Sequence, residues 1–155
     1  MIGNLVEKIL VEEYDIEQVI GEWQHSQKDF ATLRMGVIHG DFYEDNILAT
    51  EKRCVAVVDF SDSLNSWYAA DVAIALLHLV YTRPQAAKQA SLFLMAYQQT
   101  FPLPQNAITL LPLLMKMRAA TLIVETACDY GGHPPAEDIE TVQDILTALN
   151  LLCAS

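Results

Sequence analysis

Basic residues, paired cysteines and glycine-rich loops are all scarce in this 155-residue sequence, and each scarcity excludes something. Nine Lys and Arg stand against twenty Asp and Glu, for a formal net charge of -11. Such a surface repels phosphate backbones and anionic lipid, which argues against nucleic-acid and membrane partners. The acids Glu7, Glu12, Glu13, Asp15, Glu17 and Glu22 crowd the N-terminal part and read as a solvated helix face. Three cysteines, Cys54, Cys128 and Cys153, are odd in number, widely spaced and free of any Cys-x-x-Cys. That pattern excludes a disulfide framework or zinc site and fits a reducing cytosol, so the expected location is cytoplasmic. No basic region followed by an apolar run opens the chain, so no signal peptide is visible. Charged residues make up only 19% of the chain. Even so, the longest apolar stretch, Ala107 to Val124, holds Lys116 and Arg118 near its middle. It therefore reads as a buried helix rather than a membrane span.

What remains is a globular composition, 52% hydrophobic, in a chain long enough for one domain with its own core. No internal repeat, linker or low-complexity tract interrupts it, so residues 1–155 read as a single domain. The first dozen residues suggest a short helix through Leu5, Ile9 and Leu10. Asp15-Ile16-Glu17-Gln18 has the form of a capping box. Ile16, Val19, Ile20, Trp23 and Phe30 then predict a helix with one buried face, running to about Thr32. Gly36-Val37-Ile38 is a short apolar run before a polar loop. Asn46-Ile47-Leu48-Ala49 and Val55-Ala56-Val57-Val58 flank a turn-like Glu51-Lys52-Arg53 and predict a small hairpin.

From Trp67 onward the pattern is helical. Ala69 to Val80 is apolar on nearly every side and reads as a central buried helix. Pro84 suits the first turn of a helix ending near Gln99, and Phe101-Pro102-Leu103-Pro104 breaks it. A long helix follows, with a bend expected at Pro112 and an end at Gly131-Gly132. Pro134-Pro135 opens a last helix, with Ile139, Val142, Ile145, Leu146, Leu149 and Leu152 on its inner side. His25, His78 and His133 do not cluster and read as surface or core histidines. Tyr68, Tyr81, Tyr97 and Tyr130, with Met95, Met115 and Met117, read as core. The expected fold class is α+β and mainly helical, with strands confined to residues near 36–60.

The stretch that carries chemistry runs from Gly36 to Asp71. It reads Gly-Val-Ile-His39-Gly40-Asp41-Phe-Tyr-Glu-Asp-Asn46-Ile-Leu, then the hairpin turn, then Val-Val-Asp59-Phe60-Ser61-Asp62. A loop that returns the chain lets Asp41 and Asn46 point into one cleft, and Asp59 ends the second hairpin strand on the same side. Phosphoryl transfer needs such a set. One carboxylate orients an acceptor hydroxyl and takes its proton, while an amide oxygen and a second carboxylate hold magnesium against phosphates. Magnesium accepts a small protein share of oxygen ligands when phosphate and water supply the rest.

Asp-x-x-x-x-Asn followed by a strand ending in Asp is also the protein-kinase catalytic arrangement. The His-Gly-Asp variant, with Asn-Ile-Leu and a later Val-Asp-Phe, resembles aminoglycoside phosphotransferases, choline kinases, type II homoserine kinases and hydroxylysine kinases. The wording Asp59-Phe60-Ser61-Asp62 is closer to the last two. The resemblance implies a protein-kinase-like C-lobe with a small catalytic-loop hairpin. It implies Asp41 as catalytic base, Asn46 and Asp59 as magnesium ligands, and His39 as a brace for the loop. Asp71, in Asp71-Val72-Ala73, becomes a helix N-terminal charge or loop clamp. Mg2+ and ATP are the implied cofactors, and a small-molecule alcohol the implied acceptor.

Against that pattern, the residues before His39 read as helix, contain no Gly-rich loop, and offer only Lys8 and Lys28 outside any strand pattern. The nucleotide-clamping N-lobe of such kinases is therefore not recognisable here. Three readings stay open. The chain is a truncated or split kinase half that works with a separate N-lobe chain, or a non-catalytic remnant used as a binding or oligomerisation module. The third is a helical domain without kinase ancestry. The apolar surface an N-lobe would cover predicts a homodimer or a separate N-lobe partner.

Overall fold

The computed structural model describes residues 16–82 and 87–129, together with residues 135, 138, 140, 141, 144, 145 and 147. The helix expected near the N-terminus, the first residue of the capping box, Pro84, His133, Tyr130, Gly131-Gly132 and most of the last helix lie outside the described residues. The described part begins with α1 (Ile16–His25) and a single helical turn, α2 (Gln27–Phe30). The sequence pattern predicts one helix here, but the chain breaks at Ser26. Two backbone bonds from Ser26 N, to Glu22 O and Trp23 O, close the first helix, and Ser26 O starts the second turn. The seven-residue step from Trp23 to Phe30 spans two turns, so the apolar rhythm does not register the break.

Four short strands follow: β1 (Met35–Ile38), β2 (Ile47–Thr50), β3 (Arg53–Val57) and β4 (Leu64–Trp67). β2 and β3 form the expected hairpin, closed by Glu51-Lys52. A register shift at Leu48/Ala49 leaves Val55 as the extra residue of a bulge. β1 pairs antiparallel with β4, Met35 opposite Trp67 and Ile38 opposite Leu64. This second pair was not legible, because Leu64-Asn65-Ser66 shows no apolar alternation. Trp67, expected to lead a helix, is instead the last residue of β4.

Three longer helices follow among the described residues: α3 (Tyr68–Thr82), α4 (Ala87–Thr100) and α5 (Gln105–Asp129). Pro112 falls inside α5 without splitting it. Ala69, Val72, Ala73, Leu76 and Leu77 of α3 are buried, as the all-round apolar pattern demands, and pack against Leu110, Leu111, Leu114, Ala119 and Ile123 of α5. Val19, Phe30, Leu33 and Leu103 complete the same core, and Ile145 reaches it from the C-terminal segment. Each fully buried Leu or Phe contributes about 1.5–3 kcal/mol of transfer free energy. Met115 is buried as expected, whereas Met95 is more than half exposed.

Residues Gln105–Thr126 are long and apolar enough to cross a membrane by length and composition, yet half of that stretch is buried inside the protein. Both of its central charges are paired. Lys116 Nζ lies 3.1 and 2.9 Å from the two carboxylate oxygens of Glu22, which joins α5 to α1. That ammonium holds the Glu22 carboxyl below its ordinary range. A carboxyl with a depressed folded value stabilises the fold above its unfolded value, and the contribution is lost as pH falls through the folded one. Glu22→Gln, which leaves a buried ammonium facing an amide, should lower unfolding free energy by about 1–2 kcal/mol at pH 7. That figure is discounted from a fully buried pair because Glu22 is about one-third exposed. Urea melts should show the gap between variant and wild type closing as pH falls through the lowered folded value of Glu22.

Candidate active site

The loop between β1 and β2 is fastened from below by the first turn of α3. Asp71 accepts the backbone N–H of His39 on one carboxylate oxygen, at 2.8 Å, and that of Gly40 on the other, at 2.9 Å. Gly40 sits at φ +86°, the left-handed region, and a Cβ there would collide with the Asp62 carbonyl. Only glycine fits this position. His39 is buried, and both of its ring nitrogens are engaged within the loop. Nε2 donates to Val58 O at 2.9 Å, and Nδ1 accepts from the Asp41 amide at 3.3 Å. One tautomer satisfies both contacts. The rings of Phe42 and Phe60 pack against the imidazole, with centroids 5.9 and 4.6 Å away.

Asp41 and Asn46 are in direct contact. A short 3-10 turn, Glu44–Asn46, carries the amide back over the loop. Asn46 Nδ2 donates to Asp41 O at 2.8 Å and to the Asp41 carboxylate at 3.2 Å. The amide oxygen is thereby left as the group that could meet a cation. Asp59 is placed through the hairpin: Val58 N donates to Asn46 O at 2.9 Å, so Asp59 is one residue beyond the strand partner of Asn46. Its carboxylate is exposed and accepts the Ser61 hydroxyl at 2.7 Å and the Ser61 amide at 3.4 Å. The Ser61 hydroxyl, then its amide, hold the Asp59 carboxyl below its ordinary range. Asp59 adopts φ +59°, unusual for a residue with a Cβ and eased by this local Asx turn.

Two further residues enter the site that the sequence pattern did not single out. Arg118 of α5 places Nη2 2.8 Å from Asp41 Oδ1. The only trace of it in the sequence is a charge within an apolar helix, which must find a partner but does not name one. His78, read as surface or core, is buried in α3 and stacks on Tyr43, with ring centroids 4.2 Å apart. Burial pushes His78 down to about 4. The Asp41 carboxylate opposes that shift and Arg118 adds to it, while Glu44 and Asp45 oppose it. Burial, then the Asp41, Asp45, Asp59 and Glu44 charges, push the Tyr43 hydroxyl up. Among the described residues no group of three or more His, Cys, Asp or Glu side chains is gathered into a preformed metal cage. The site thus offers one amide oxygen and scattered carboxylates, a set suited to a metal that arrives with phosphate oxygens.

Two outcomes follow from this geometry. Asp71→Asn turns an NH2 group toward one of the two amides, so hydrogen exchange at His39 and Gly40 should quicken by roughly 10- to 100-fold. Unchanged exchange would contradict the clamp. Proton NMR titration of His78 should report a value near 4. Its folded value lies below the unfolded one. The stability it contributes is therefore complete above about pH 6.5 and is lost as pH falls toward 4.

The chain is similar to known proteins in sequence and in fold. The profile described as "Phosphotransferase enzyme family" matches residues 4–106. A homoserine kinase of Parvibaculum lavamentivorans is 32% identical over 105 residues, covering 66% of this chain and 33% of the relative. A homoserine kinase of Agrobacterium fabrum is 30% identical over 133 residues, covering 83% of this chain and 39% of the relative. The chain thus spans about a third of the length of the relatives it matches. The solved structure of amicoumacin kinase hAmiN, in complex with AMP-PNP, Ca2+ and Ami, superposes with a TM-score of 0.55. It covers 88% of this chain and 46% of that one, at 17% identity, a likeness of fold alone.

Proposed function

Because the chain belongs to the phosphotransferase enzyme family, whose small-molecule kinases share its fold, we propose that it supplies the catalytic floor of an ATP-dependent phosphotransferase acting on a hydroxyl acceptor. The observation that carries this reading is the joined pair of Asp41 and Asn46, with Asp59 set beside it through the Val58–Asn46 backbone bond. Asp41 orients the acceptor hydroxyl and holds its proton on a carboxylate oxygen as the oxygen attacks. The Asn46 amide oxygen and the Asp59 carboxylate would hold Mg2+. Bound magnesium nucleotide supplies the phosphoryl group and neutralises its developing charge. His39 and Asp71 keep the loop in place. Homoserine, named by several relatives, is the acceptor most worth testing.

The floor needs a cover. Six of the ten exposed large apolar side chains on the described residues, Met35, Val37, Leu48, Val55, Phe60 and Leu64, fall in the strand-bearing segment around the site. In the proposed reading, a β-rich lobe bearing a phosphate-binding lysine covers this segment, either as a separate chain or as part of a longer protein. A second copy of this chain is the other way to cover it, which would make the protein a non-catalytic oligomerisation module. Cys54 and Cys128 are free thiols, in keeping with the proposed cytoplasmic location.

Taken by itself, the 155-residue chain should not turn over ATP, since catalysis of this kind is positioning and charge stabilisation that the floor alone does not complete. Calorimetry should register magnesium-dependent nucleotide binding, weak and lost in Asp59→Asn. Steady phosphorylation of a small alcohol by the chain alone, abolished by Asp41→Asn, would overturn the incompleteness. No magnesium or nucleotide binding, together with a tight dimer in analytical ultracentrifugation, would favour the non-catalytic module.

A further inference from the structure

The catalytic loop carries no cation of its own: between Gly40 and Asn46 the chain reads Gly-Asp-Phe-Tyr-Glu-Asp-Asn. The charge beside Asp41 comes instead from Arg118, 77 residues further along the chain. The side chain is only 17% exposed. A guanidinium presents five N–H donors in a planar fork built for two parallel bonds to an oxyanion. Arg118 uses little of that capacity. Nη2 makes one short bond to Asp41 Oδ1. Nη1 lies 3.9 Å from the exposed Glu125 carboxylate, beyond hydrogen-bond distance. Nε is buried and has no hydrogen-bond partner among the described residues. A charged donor buried without a partner is costly, and such groups persist where something else calls for them.

A plain strut between α5 and the loop would explain the bond to Asp41. It would not explain an arginine whose remaining donors are unspent beside the proposed base. We propose that Arg118 is the oxyanion-binding residue of this site, holding Asp41 in position and offering its remaining Nη donors to an anionic group of a bound substrate. The proposal rests on the phosphotransfer reading of Asp41. The anion has two possible sources, a carboxylate on the acceptor or the terminal phosphoryl group of the nucleotide.

The test is 15N NMR titration of the full chain and of Arg118→Gln, at millimolar ligand, with magnesium present. L-homoserine is compared with 3-aminopropan-1-ol, which lacks the carboxylate, and AMP-PNP with AMP. A carboxylate source predicts that R118Q weakens L-homoserine roughly 10- to 100-fold and leaves 3-aminopropan-1-ol unchanged. A phosphoryl source predicts a similar loss for AMP-PNP and not for AMP. Equal losses within each pair, no losses at all, or a wild-type chain that binds neither anionic probe would overturn the proposal. Should R118Q fail to fold, Arg118→Lys keeps the charge without the planar fork, and should produce the same selective loss at smaller size. If L-homoserine binds through Arg118 while no nucleotide binds at all, the phosphotransfer reading fails and the anion site stands.

Discussion

One carboxylate at the start of a buried helix fixes the candidate site. Asp71 sits in the first turn of α3, where negative charge is favoured, and its two oxygens take the amides of His39 and Gly40. With those amides held, Gly40 turns through the left-handed region between His39 and Asp41. His39 can then span from the Asp41 amide to Val58 O, which ties the loop to the end of the hairpin. The loop is therefore held at both edges by groups whose own positions the core determines. Ala69, Val72 and Ala73, beside Asp71 in sequence, are among the most buried residues of the chain. Precision at the site is thus drawn from the rigid part of the fold.

α5 serves the same end from the other side. Lys116 and Arg118 are two residues apart, which places them on nearly opposite sides of a helix. One pairs with Glu22 on α1 and the other with Asp41 on the loop between β1 and β2. Between them the helix buries Ala119, Ala120 and Ile123. Two charges that look alike in the sequence thereby do different work. The first joins two helices, and the second sets the electrostatic surroundings of the proposed base. Acidic side chains predominate around the loop, so a single guanidinium there counterbalances Asp41 more than its number suggests.

Much of this was legible in the sequence, for physical reasons. The β-branched run from Val55 to Val58 and the Asp41–Asn46 spacing are local signals, and local signals carry the β2–β3 hairpin and the loop. The apolar Ala69–Val80 run could only be a buried helix. Pairings between distant segments were not legible. β4 is a strand because β1 is next to it, not because Leu64-Asn65-Ser66 favours one. The break at Ser26 leaves no mark because neither glycine nor proline makes it. Arg118 announced a buried charge, but its partner is 77 residues away. His78 looked inert because its neighbour Tyr43 is supplied by the folded loop, not by sequence proximity.

The central claim is that Asn46 and Asp59 together form a metal-binding floor beside Asp41. Paramagnetic Mn2+ in place of Mg2+ tests it most directly, since Mn2+ broadens the amide resonances nearest to it. With AMP-PNP present, the account predicts broadening centred on residues 41–46 and 58–62, weak or missing in α1 and α4, and abolished by Asp59→Asn. Broadening centred elsewhere, or the same pattern in Asp59→Asn, would contradict it.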